Sequence, residues 1–147
     1  MGTQQILLIV LSVIIVGVAV AVGITMFSTQ ASNSNRQALV GELQHFGAAA
    51  MQYYKTPAPQ GGGGGTGVVG FGADLASAKA GVGIAMGFSA TGTMTDDTGT
   101  FTLGYVSPTV ITITGVGTEK TKSGDLVSAM TTVTATNASP LTTTVLK

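Results

Sequence analysis

Few residues in this chain could do chemistry, and their spacing narrows the choice further. His45 is the only histidine and cysteine is absent. That leaves no cluster of imidazole or thiolate ligands for a metal, and no thiol for a disulfide or covalent haem attachment. His45 reads as a surface or packing residue. No nucleophile–base pair and no carboxylate pair stands out, so an enzyme is not expected, nor a cofactor. Three stretches remain. Asp96-Asp97-Thr98-Gly99 sets two carboxylates beside a glycine, but the further spaced acids of a calcium loop are missing; a β-turn ahead of a strand explains it better. Gly61–Gly65 is a run of five glycines that could suggest a phosphate cradle. No Lys-Ser/Thr follows it and no strand precedes it, so a flexible or closely packed connector is expected. Asn137-Ala138-Ser139 matches the acceptor pattern for N-glycosylation, and Thr142–Thr144 offers hydroxyls for O-glycans.

The elements that position these residues are organised around Ile6–Phe27, 22 residues with no charged side chain. Fifteen of them are Ile, Leu, Val or Phe, interrupted by Ser12, Gly17, Gly23 and Thr25. As a helix the stretch would span ~33 Å, close to the ~30 Å hydrocarbon core of a bilayer. Its large apolar residues favour insertion by about 5–9 kcal/mol before the small polar ones subtract. A strand is excluded, because a lone spanning strand leaves its backbone unpaired in lipid. The flank Met1–Gln5 is uncharged, and the first charge is Arg36. A signal peptide would carry a basic flank and a shorter apolar run. The expectation is a membrane-competent helix whose basic leader was removed before Met1, or one that ends up packed against copies of itself.

Nothing stops the helix at Phe27. Up to Tyr54 there is no proline, and Leu39, Leu43, Phe46, Ala50 and Tyr53/Tyr54 recur at helical spacing. Residues 1–28 thus form an apolar half and 29–55 an amphipathic continuation, until Thr56-Pro57-Ala58-Pro59 ends it. Residues 56–67 read as a Pro/Gly connector and 68–147 as a β-rich head. Val68–Phe71 suggests a short strand, Ala73–Ala80 a short helix stopped by Gly81, and Val82–Thr93 is ambiguous. From Thr98 the period becomes two. Four strands are expected: one through Phe101, Leu103 and Tyr105, then Val110–Thr114, Leu126–Thr136 and Leu141–Leu146. Val116–Gly124 would be a charged loop or hairpin end. The fold class is therefore α+β, a long N-terminal helix on a small antiparallel sheet. Of 147 residues only 8% are charged, net charge is zero, and 23 are threonine. Such a composition makes nucleic acid and anionic lipid poor partners and suggests an extracellular surface wetted by hydroxyls.

A long N-terminal helix, apolar then amphipathic, ahead of a small antiparallel sheet resembles a type IV pilin. The resemblance covers the first ~55 residues in pattern and the head in architecture. It implies that Met1 is the mature, N-methylated end left by a prepilin peptidase. Gln5 would stand where most bacterial pilins carry glutamate, offering a neighbour's terminal amine a neutral hydrogen bond of roughly half the strength. Val22 followed by Gly23 replaces the proline at which many pilin helices melt, and no cysteine pair staples the C-terminal region. The function implied is a structural subunit that polymerises into an extracellular type IV pilus-like filament. Its partners would be copies of itself, the inner membrane before assembly, and the pilus assembly machinery. Gln5, Gly17 and Gly23 would be the assembly positions, with small residues allowing helices to approach. Gly23 would mark where the helix stretches in the fibre, a continuous curved helix being the alternative. The rival reading is a membrane-anchored surface domain or minor pseudopilin that never polymerises in bulk.

Overall fold

A computed structural model describes residues 2–64 and 70–147 of the chain. Helix α1 (Gly2–Lys55) runs unbroken for 54 residues, ~80 Å at the usual rise. It ends where proline was expected to end it, and the Thr56 N–H and hydroxyl both donate to the Gln52 carbonyl, at 3.0 and 2.8 Å. Only its second half is covered. Ser32, Leu39, Leu43, Phe46, Gly47 and Ala50 are its buried positions, a single stripe at intervals of three, four and seven.

That stripe lies on a five-stranded antiparallel sheet. Strands β1 (Thr93–Thr95), β2 (Gly99–Ser107), β3 (Val110–Lys120), β4 (Leu126–Thr134) and β5 (Leu141–Val145) follow one another in spatial order, each paired with its neighbour. Phe101, Leu103, Ile111, Ile113, Val127, Ala129 and Val133 turn inward and are buried. Between them Thr100, Thr102, Thr112, Thr114, Thr132 and Thr134 face out, half-buried or exposed, the alternation of a sheet with one dry face. Thr131 is the exception, fully buried, and its hydroxyl is satisfied by that of Thr143 on β5 at 2.7 Å. Phe46 joins the two layers, its ring edge-on to Phe88 at 5.2 Å and to Phe101 at 5.1 Å.

Three local expectations need correcting. The sheet has five strands, because Thr93–Thr95 pairs with β2 through Thr93–Thr102 and Thr95–Thr100. Strand β3 does not stop at Thr114 but continues through Val116 to Lys120. Its glycines are strand residues at the closest approach of α1. A Cβ on Gly115 would lie 2.9 Å from Phe101 Cε1 and 3.2 Å from Leu39 Cδ2, and one on Gly117 would fall on Asn35 Oδ1. Nor does Gly81 stop the short helix. α2 (Leu75–Ala78) opens with a capping box between Asp74 and Ser77 and continues through a π-turn, Lys79–Gly83, to residue 85. At Gly81 a Cβ would meet the Tyr53 hydroxyl at 2.6 Å, so glycine admits the tyrosine. Of the expected strand Val68–Phe71, the first two residues lie outside the described ones. Gly70 and Phe71 form a turn, with Phe71 N–H donating to Pro108 O at 2.8 Å and its ring buried beside Tyr54.

Candidate functional site

Of the groups that could do chemistry, Asp96 and the described part of the glycine run are occupied by the fold. Asp96 Oδ1 accepts from the Thr98 N–H at 2.8 Å, the Gly99 N–H at 3.0 Å and the Thr98 hydroxyl, closing the turn between β1 and β2. Burial pushes the Asp96 carboxyl up. The hydrogen bonds from the Thr98 hydroxyl, the Gly99 N–H and the Thr98 N–H together outweigh it and hold the group below the ordinary carboxylate value. Asp97 is exposed beside it, and no cluster of three or more His, Cys, Asp or Glu occurs among the described residues. The glycine run, as far as it is described, binds its own backbone. The N–H groups of Gly61, Gly62, Gly63 and Gly64 donate to the carbonyls of Ala58, Pro57, Tyr53 and Thr56 at 3.0, 3.3, 2.9 and 2.9 Å. All four are spent on carbonyls of the last turn of α1 and the turn that follows it, so none is turned toward a phosphate. His45 is exposed, its ring centroid 5.8 Å from that of Phe46 in a tilted, edge-on arrangement. Asn137 is exposed in the turn between β4 and β5, and Ser139 is exposed with it.

What stands out is a surface. Every Ile, Leu, Val, Met and Phe from Ile6 to Phe27 is between 50 and 83% exposed, and α1 is long and apolar enough to cross a membrane. The helix suits such a solvent in its polar details too. The Ser12 hydroxyl donates to Ile9 O at 2.8 Å, Thr25 to Ala21 O at 3.0 Å and Thr29 to Thr25 O at 2.9 Å. Each polar hydrogen of the hydroxyls at 12 and 25 is thus satisfied within the helix, as an apolar surrounding demands. Beyond the adjoining helix backbone, nothing lies within 4 Å of a Cβ built at Gly17 or Gly23. Gly23 sits in regular helix, so the isolated subunit shows no break there. Gln5 is exposed on the first turns. Met1, the expected processed end, lies outside the described residues.

Comparison with protein families, with characterised proteins and with solved structures returned no match. The uncovered half of α1 carries the functional reading alone.

Sequence reasoning missed one convergence. A cleft of ≈ 550 Å³ opens where α1 leaves its apolar half, walled by Ser28, Ser32 and Arg36 on the helix and by Thr121 and Lys122 in the β3–β4 loop. Arg36 and Lys122 are far apart in the chain, so no local pattern pairs them. Their meeting depends on β3 running to Lys120 rather than ending early.

Proposed function

We propose that this chain is the structural subunit of an extracellular filament of the type IV pilus kind, assembled through α1. The observation that carries the reading is the contrast within one helix. Residues from Ser32 onward contribute to the core, while none of the apolar residues 6–27 is buried by its own subunit. A surface of that size is not left to water. Lipid of the inner membrane covers it before assembly, and neighbouring α1 helices cover it afterwards. Gly17 and Ala21 lie one turn apart on one side of α1, and Ala19 and Gly23 on nearly the opposite side at 100° per residue. Each pair is a small-residue step that lets a neighbouring helix close in, so one subunit can serve two neighbours in a bundle. Gln5, near the buried end, would meet another subunit's terminus. The threonine-faced sheets form the outer shell. A prepilin peptidase and an energy-driven assembly machine are the partners this requires; nucleic acid is not.

Electron microscopy of material sheared from the cell surface tests the proposal. Thin fibres whose mass is this chain are expected. Recovery of the chain solely as dispersed subunits in the membrane fraction would instead make it an anchored surface domain or a minor pseudopilin.

A further inference from the structure

We propose that the cleft between α1 and the β3–β4 loop binds the phosphate of an anionic phospholipid headgroup while the subunit is in the membrane; the zero net charge that made anionic lipid a poor partner for the chain as a whole hides this local pair of cations. Two cations and several hydroxyls line it, and no carboxylate does. The single ion pair among the described residues joins Lys147 to Asp125 at 3.3 Å and leaves both lining cations out. Arg36 Nε is buried without a hydrogen-bond partner among the described residues, and a guanidinium edge of that kind suits a phosphate oxygen. Height along the helix decides the occupant. Ser28 follows directly on the apolar stretch, within the headgroup layer if residues 6–27 span the hydrocarbon. Arg36 has its Cα ~12 Å further up, but helical side chains lean toward the N-terminus. Its Nη1 reaches back to Asn33 Oδ1 at 3.5 Å, so the charge is carried down toward the lipid. Lys122 meets it from the lower end of the head, where its long stem can also bend toward a headgroup.

The inference rests on the membrane stage of the proposed function and not on polymerisation, so a chain that forms no fibres still has the cleft. The test uses the full chain in non-ionic detergent micelles, titrated with phosphatidylglycerol, with phosphatidylcholine and with inorganic phosphate, and bound lipid is counted by native mass spectrometry. Wild type should retain phosphatidylglycerol in preference to phosphatidylcholine. Arg36→Gln and Lys122→Gln should each weaken retention by roughly 5-fold, and the pair by roughly 25-fold. Lys55→Gln removes the same charge from the exposed far end of α1 and should change nothing. Arg36→Lys and Lys122→Arg, which keep the charge, should retain most of the binding. Unchanged retention in the Gln variants, or an equal loss in Lys55→Gln, overturns the site. Competition by millimolar inorganic phosphate with no preference between the lipids overturns the lipid assignment and makes the occupant a free anion.

Discussion

At the scale of single residues, the carboxylate of Asp96 holds a turn. Asp96 accepts three hydrogen bonds on one oxygen, and Asp96→Ala should destabilise the head by about 1 kcal/mol, read as a lower urea midpoint. Asp96→Asn keeps an acceptor for the two backbone donors and isolates the charge. The folded value of Asp96 is below its unfolded one. Its charge-dependent contribution is therefore whole above the ordinary carboxylate pKa of ~3.9 and is lost as pH falls through the lower folded value. The stability gap between wild type and Asp96→Asn should be largest near neutral pH and close toward about pH 2. A gap that widens on acidification would contradict the hydrogen-bonding account. The turn was legible in Asp-Asp-Thr-Gly; the convergence of Arg36 and Lys122 was not, because long-range pairing leaves no periodic trace. Gly23 belongs at this scale as well. It sits in regular helix with open space around it, so Gly23→Ala should favour the isolated helix by ~1 kcal/mol. If close helix approach or stretching in the fibre needs glycine, the same change will slow assembly without lowering the melting temperature of the head. Unimpaired fibres from Gly23→Ala would remove Gly23 from the assembly positions.

Elements were legible wherever one period ran uninterrupted. The apolar run, the stripe through Leu39, Leu43, Phe46 and Ala50, and the alternation of Phe101, Leu103 and Tyr105 each predict an element that exists. The reading failed where glycine broke the pattern for a packing reason. Gly117 falls in the stretch that reads as a loop or hairpin end, yet the missing side chains of Gly115 and Gly117 are what allow α1 to lie across β3. Gly81 suggests a helix stop, yet it makes room for Tyr53. A single sequence carries no sign of which glycine faces solvent and which faces another element. The distinction is measurable. Gly117→Val should cost roughly 2–3 kcal/mol through overpacking against Asn35 and Leu39, lowering the melting temperature of the head by ~10 °C or more. Gly17→Val, placed where nothing lies within 4 Å, should leave that temperature unchanged. Equal effects of the two changes would show that α1 does not bear on β3 as described.

The whole molecule is an uncovered apolar half-helix and a head with a buried core, joined by one continuous helix. All of the buried α1 residues lie at Ser32 or beyond, so the head carries its own core. Removing residues 1–28 should yield a soluble monomer that melts cooperatively, with β-type circular dichroism above the helical signal of what remains of α1. A more exacting separation keeps the chain at full length. Ile14 is 57% exposed near the middle of the apolar stretch, and Ile14→Asp places a carboxylate where the bilayer centre or a helix bundle would be. In lipid the charge costs about 2.5–3.5 kcal/mol; between packed helices it is an unpaired buried charge, which costs more. For the head the substitution is remote, because no residue of the core contacts position 14, and surface changes of this kind stay within about 0.5 kcal/mol. The expected outcome is therefore a split. Thermal unfolding of the head in detergent matches wild type, while recovery in the membrane fraction falls and fibres disappear from sheared surface material. Abundant fibres from Ile14→Asp would exclude a core built from residues 6–27. A destabilised head would show instead that the two halves of α1 are energetically one, and that the uncovered surface also serves the fold.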